Sequence, residues 1–205
     1  MCYSWDQAKS AHETCNHRVM KMRYFDLFDD MYIKNRWFLK TPLAEDGSEI
    51  DARTFTEGKP VDVYPAFLPI RKKGTPLDFT MADHEMPIAN ARAARIFERL
   101  AAEDVQLIPI RVEGQSEEYF IVNATRALAC VDETACEEVT FWTKDDFRPD
   151  LAGTYRSIIG LRIDPARASG HSLFWVKDWV QLIASEAIKE AFEKEGIIGA
   201  KFTPV

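Results

Sequence analysis

Apolar and polar residues alternate most regularly between residues 105 and 122. The first strand pattern has two apolar faces: Val105, Leu107 and Pro109 on one, and Ile108, Ile110 and Val112 on the other. A polar connection that contains Gly114 follows, and an apolar run resumes over residues 119–122. Two such runs around a short polar turn predict a β-hairpin. The segment contains no histidine, so it is typical of a scaffold that presents a binding surface rather than of a reactive site.

Two other segments show the helical period. Their apolar faces are Ala93, Phe97, Leu100 and Ala101 within residues 90–103, and Ala184, Ile188, Ala191 and Phe192 around residues 185–195. Asn90 and Ser185 are placed to cap the two helices, and Gly196 is placed to end the second. We expect one hydrophobic core to contain Phe97, Ile121, Ile188 and Phe192.

Most of the remaining apolar segments predict strands. They are residues 22–27, 126–131, 139–143, 154–163, 174–179 and 197–202, and residues 61–70, interrupted by prolines, suit an extended or edge strand. Strands outnumber helices and do not alternate with them, which predicts an α+β fold. We expect a mostly antiparallel sheet with two main helices, in a single compact unit over residues 21–205. Residues 1–20 lack periodicity and are predicted to be a disordered extension.

Composition narrows the classes of function. Hydrophobic residues make up 46% of the chain, enough for a substantial core, and the formal net charge is −7. Nucleic acid is an improbable partner because phosphate contacts need clustered basic side chains. The charge suits a basic protein partner, although solubility alone is the simpler explanation. The chain has no secretory signal pattern, no apolar run of about 18 residues and no CxxC pair, so we expect a cytoplasmic protein with reduced thiols and no membrane span.

Few residues are candidates for chemistry. The N-terminal Cys2, His12, Cys15 and His17 lack the spacing of a zinc site, and no nucleotide-binding or hydrolase motif occurs. The remaining candidates for a nucleophile and its base are Cys130, Cys136, His84 and His171. Cys130 lies within an apolar strand pattern, where a thiol typically packs as a small hydrophobic group. We therefore predict no catalytic residue, cofactor or metal.

Several short motifs recur in an order that is similar to a known family. They are the segments VQLIPIRVEG, YFIVNA and CVD between residues 105 and 132, upstream YFDL, DD, RWFL and GTPLDF, and downstream GTY, LRID and GIIGAKF. Together they resemble a bacterial family of immunity proteins, the eleventh catalogued in polymorphic toxin systems. The resemblance covers roughly residues 22–202. Cys136 departs from it, since the family pattern favours serine there, and the segment before Met20 matches nothing in it.

The resemblance implies a protein that binds and neutralises a cognate toxin and needs no catalytic residues. Its candidate partner-binding residues are Trp142, Trp175, Asp145, Asp146, Glu117 and Glu118, because buried tryptophans anchor interfaces and acidic side chains steer basic partners. The alternative is a small enzyme or ligand-binding protein with a pocket near His84 or His171.

Overall fold

The computed structural model describes residues 22–205. Its α-helices are α1 (Ala91–Leu100) and α2 (Glu186–Glu195), and short 3₁₀ helices cover Ala52–Phe55, Asp83–Glu85 and Pro149–Leu151. Its strands are β1 (Tyr24–Asp29), β2 (Phe38–Leu39), β3 (Phe67–Leu68), β4 (Ile70–Lys72), β5 (Phe79–Met81), β6 (Pro87–Asn90), β7 (Val105–Val112), β8 (Tyr119–Ala124), β9 (Ala127–Leu128), β10 (Glu138–Phe141), β11 (Tyr155–Ile159), β12 (Leu173–Val176), β13 (Leu182–Ser185) and β14 (Ala200–Pro204). The predicted N-terminal extension lies outside the described residues.

Two five-stranded sheets form the framework. The first sheet has the order β14-β1-β13-β12-β9, and the second has the order β3-β7-β8-β6-β5. Pairing is antiparallel throughout both sheets except between β12 and β9 and between β3 and β7. The predicted hairpin is β7–β8, and the α+β prediction, with mostly antiparallel strands and two helices, is confirmed.

Both helices occupy the predicted segments. Asn90 caps α1, because its side-chain oxygen accepts hydrogen bonds from the backbone N–H groups of Arg92 and Ala93, each at 3.1 Å. α2 ends at Gly196, whose φ of 63° is the left-handed conformation that favours glycine. Ser185 precedes α2 as predicted, but its side chain makes no capping hydrogen bond and its hydroxyl is buried without a partner. It marks the start of the helix without contributing a side-chain cap.

The central core joins the helices to both sheets. Phe97 of α1 and Phe192 of α2 have ring centroids 5.3 Å apart, and Phe79 of the second sheet lies 6.0 Å from Phe192. Ile188 belongs to the same cluster. Ile121 does not: it lies in a second cluster with Trp37, on the other face of the second sheet. The prediction of one core was wrong for Ile121, because β8 is buried on both faces and its continuous apolar run conceals which residue points to which side.

A third cluster covers the other face of the first sheet. Tyr24, Phe174 and Ile183 of that sheet pack there with the base of a long antiparallel excursion, which we call the arm (residues 130–164). A bridge between Val131 and Ile163 closes the base of the arm, and β10 and β11 form its outer part. The arm is therefore anchored in the core at one end and free of either sheet at the other.

Several strands are shorter than the sequence indicated. Residues 126–131 contain only the two-residue β9, and the strand predicted over residues 154–163 ends at Ile159, before Gly160 with its φ of 62°. Residues 61–70 contain β3 and the first residue of β4. The strand predicted over residues 174–179 corresponds to β12, which ends at Val176 and pairs with neighbours on both sides. These differences arise from long-range pairing, which local patterns do not encode.

Candidate functional site

Exposed aromatic rings cluster at the end of the arm, which we call the arm tip (residues 141–153). Phe147 is 80% exposed and Phe141 is 40% exposed, whereas Trp142 is partly buried. The rings of Trp142 and Phe147 meet edge to face, with centroids 5.2 Å apart. Phe141 lies against Tyr155, with centroids 5.1 Å apart. The tip therefore presents an apolar surface to solvent.

Asp146 holds the turn of the arm tip in place. Its Oδ2 accepts hydrogen bonds from the backbone N–H of Thr143 at 2.7 Å and from the Thr143 hydroxyl at 2.8 Å. Its Oδ1 accepts one from Arg156 at 3.0 Å. These hydrogen bonds from Thr143, and then the charge of Arg156, lower the pKa of Asp146. The guanidinium of Arg156 also lies 5.1 Å from the centre of the Trp142 ring. Asp146 thus fixes the turn between Trp142 and Phe147, and it holds Arg156 close to the Trp142 ring.

Acidic residues outnumber basic ones in the segment that carries these rings. Residues 132–159 contain seven acidic and three basic side chains, so this segment carries a formal charge of −4 out of the −7 of the whole chain. Asp145 and Glu138 are exposed. An apolar centre with a charged rim is the usual organisation of a protein–protein interface. Here the rim favours a basic partner.

Glu117 and Glu118 lie elsewhere, in the turn between β7 and β8 of the second sheet. Both are exposed and line an open cavity of about 680 Å³ together with Glu45 and Arg111. Glu117 accepts a hydrogen bond from the amide of Asn90 at 2.9 Å, next to the start of α1. The structure therefore brings Trp142, Asp145 and Asp146 together on the arm and leaves these two glutamates on a separate element.

Trp175 is a core residue. It lies in β12, is only 2% exposed and packs in the central cluster with Leu27 and Leu182. Its ring is therefore out of reach of a partner that docks at the arm tip. The assignment of Trp175 to partner binding stays a prediction, and its burial separates it from the surface at the arm tip.

The structure gives the candidates for nucleophile chemistry separate partners. Cys136 Sγ accepts a hydrogen bond from the backbone N–H of Arg162 at 3.3 Å. Cys130 is fully buried, and burial raises the pKa of its thiol to about 11, which keeps it protonated and unreactive. His171 Nδ1 lies 2.7 Å from Asp104 Oδ1, and the other oxygen of Asp104 accepts from the Ser172 backbone N–H at 2.7 Å. This pair ties the turn before β7 to the loop before β12.

His84 does line a cavity, as the alternative function requires. The cavity, of about 440 Å³, is also lined by Glu57 and Glu85. His84 itself is exposed and has a left-handed backbone with a φ of 57°.

Within residues 22–205, no three His, Cys, Asp or Glu side chains are grouped closely enough to hold a metal ion. No helix in that part of the chain is long and apolar enough to cross a membrane.

Almost the whole chain, and not only its short motifs, matches a known family. A family model described as the Immunity protein family (Imm11) matches residues 8–205. The chain belongs to the Imm11 immunity protein family. The match begins upstream of Met22, where the resemblance was expected to start, and so includes part of the predicted N-terminal extension. No curated protein matches the chain.

Membership confirms the predicted role of the chain as an immunity protein, and a toxin protein is the general kind of partner that this role implies. Sequence reasoning chose Trp142 and Asp145 on the arm tip but missed Phe141 and Phe147 beside them. A signal was present for Phe147: it stands between Asp146 and Arg148 and two residues before Pro149, a setting in which a buried position is unusual.

Proposed function

We propose that this Imm11 protein neutralises the cognate toxin of a bacterial polymorphic toxin system by forming a stoichiometric complex with it in the cytoplasm. The arm tip is the contact surface, and protection comes from binding rather than catalysis. The observation that carries this proposal is the exposed aromatic cluster on an anchored arm, with Phe147 80% exposed.

Exposed aromatic rings are costly to leave in water and valuable when buried by a partner. Phenylalanine and tryptophan contribute large apolar areas, and tryptophan is among the residues that most often carry the binding energy of interfaces. Trp142 and Phe147 already pack against each other, so little ordering is needed when a partner covers them. The base of the arm lies in the third core cluster, which keeps the tip in a defined position.

The acidic side chains around the rings have a second role. Asp145 and Glu138 steer a basic toxin surface towards the tip, and Asp146 keeps the tip folded. Glu117 and Glu118 add negative charge on the second sheet, where they form a secondary contact if the toxin extends that far.

The test of this proposal is a Phe147→Ala variant in complex with the toxin encoded beside this gene. Loss of the ring should cost about 2 kcal/mol or more in binding, mainly through faster dissociation, and should reduce survival of cells that express the toxin. Tyr64→Ala is the matched control, because Tyr64 is 68% exposed and lies outside the arm. Equal losses for both variants, or no complex with the wild-type protein, would contradict the proposal.

The cavity beside His84 supports a second candidate, a ligand-binding protein or small enzyme. Its wall combines an imidazole with the carboxylates of Glu57 and Glu85, groups that can bind or move a proton. The candidate is tested with His84→Ala. It gains support if the purified protein turns over a small substrate and the variant does not, and it fails if His84→Ala leaves such turnover intact.

A further inference from the structure

A cleft opens in the first sheet where two neighbouring strands separate. β1 and β13 are paired only as far as Asp26 and Ile183, although β1 continues to Asp29. A cavity of about 270 Å³ lies beyond this last pair and is lined by residues 26–28 on one side and residues 179–182 on the other, with Met81, Glu85 and Trp175. We call it the strand cleft. It shares Glu85 and Val180 with the cavity beside His84.

The strand cleft contains two carboxyl groups that lack a cation. Asp26 Oδ1 is buried without a hydrogen-bond partner, and neither Asp26 nor Glu85 forms an ion pair within residues 22–205. Burial raises the pKa of both, and the charges of Asp26 and Asp29 raise that of Glu85 further. A side-chain hydrogen bond from Gln181, and then the charge of Lys201, partly offset the effect on the pKa of Asp26. A positive group in the cleft would remove this unfavourable energy.

The same cleft contains an unsatisfied hydrogen-bond donor. Trp175 lines it, is only 2% exposed, and its indole N–H has no acceptor. A buried donor without an acceptor is rare in folded proteins. Because this nitrogen is closed off from solvent, a group that enters the cleft meets the indole ring rather than its N–H. Trp179 adds a second indole to the lining. Indole rings attract guanidinium groups.

We infer that the strand cleft binds an arginine residue of a partner protein. Its guanidinium pairs with Asp26 and Glu85 and lies against the indole rings of Trp175 and Trp179, which line the cleft. A lysine would supply the charge without the planar set of donors. This inference rests on the proposed function in one respect: the toxin is the partner that presents the arginine, as a contact separate from the arm tip.

The first experiment uses a fragment, so that it does not depend on a toxin. N-acetyl-L-argininamide is titrated into the ¹⁵N-labelled full-length protein, and the indole N–H signals of Trp175 and Trp179, assigned with Trp→Phe variants, are followed by NMR. N-acetyl-L-citrullinamide, nearly the same in shape but neutral, is the control ligand. We expect saturable shifts of both signals with the arginine compound only. Equal shifts with citrulline, or none at the highest soluble concentration, would overturn the inference.

Variants then locate the binding. Glu85→Gln and Asp26→Asn should each weaken binding of the arginine compound at least about tenfold, while Glu103→Gln, which removes one exposed charge elsewhere, should leave it unchanged. Glu85→Gln decides the matter if Asp26→Asn fails to fold. A loss with Glu103→Gln as large as with Glu85→Gln would show that only net charge matters. Phe147→Ala should bind the fragment normally, so failure of the arm proposal and failure of this one are distinguishable.

Discussion

Arg36 and Asp29 show how single residues hold the two sheets together. Both are almost fully buried and form an ion pair. Arg36 also donates a hydrogen bond to Thr80 at 2.9 Å, and Asp29 accepts one from the Met81 backbone N–H at 3.2 Å. β1 of the first sheet is thereby joined to β5 of the second. Both residues are visible in the sequence, but nothing in its pattern of charged positions indicates that they are buried together.

Removing one partner of this pair should be costly. Arg36→Met leaves the Asp29 carboxylate buried without a cation, and the free energy of unfolding should fall by about 3–5 kcal/mol. Chemical denaturation measures the loss. The double variant Asp29→Leu with Arg36→Met removes both charges and should recover much of it. A double variant as unstable as the single one would mean that packing, rather than the unpaired charge, is responsible.

Glu85 should make stability depend on pH. Its folded pKa is raised above the ordinary value of 4.5 because the charged form is disfavoured by burial and by Asp26 and Asp29. The contribution of Glu85 to stability is therefore most favourable below that value and becomes less favourable as the pH rises through the folded pKa. Glu85→Gln should melt higher than the wild type at pH 7, and the difference should shrink towards pH 4. A variant that melts lower at pH 7 would contradict this electrostatic account.

Among the elements, local patterns predicted some features and could not predict others. The hairpin β7–β8 and both helices follow from periodicity, because their residues contact neighbours in the chain. The short β9 exists only because it pairs in parallel with β12, about fifty residues away, and the sequence around it has no signal for that partner. Trp142 and Asp145, named from the sequence, lie in the arm tip, and Trp175 lines the strand cleft. The cleft itself could not be predicted, since it depends on where β1 and β13 stop pairing.

The arm divides into a structural base and the arm tip, which is the proposed contact surface. Cys130, Val131 and Ile163 belong to the third core cluster, while β10 and β11 pair only with each other. Replacing residues 143–152 with a tight Asn-Gly turn should therefore leave the melting temperature nearly unchanged and abolish toxin binding and protection. Differential scanning calorimetry and co-purification measure the two effects. A collapse of stability would show that the tip also supports the fold.

At the scale of the whole molecule, negative charge is distributed unevenly over a framework with three core clusters. The segment 132–159 has a formal charge of −4, more than half of the total of −7. The third cluster fixes this segment on the outer face of the first sheet, opposite the helices. More than half of the formal negative charge of the chain is therefore placed on the segment that carries the exposed rings.

This distribution predicts that association depends on where charge is removed. Asp145→Asn with Glu138→Gln should slow association with a basic toxin and flatten its dependence on salt, with little change in stability because both side chains are exposed. The control pair Glu103→Gln with Glu190→Gln changes net charge equally but lies outside the arm. Stopped-flow measurements from about 50 to 500 mM salt compare the two. If steering is local, the double variant in the arm should associate clearly more slowly than the control double variant. Equal slowing of the two would mean that the toxin responds only to the total charge.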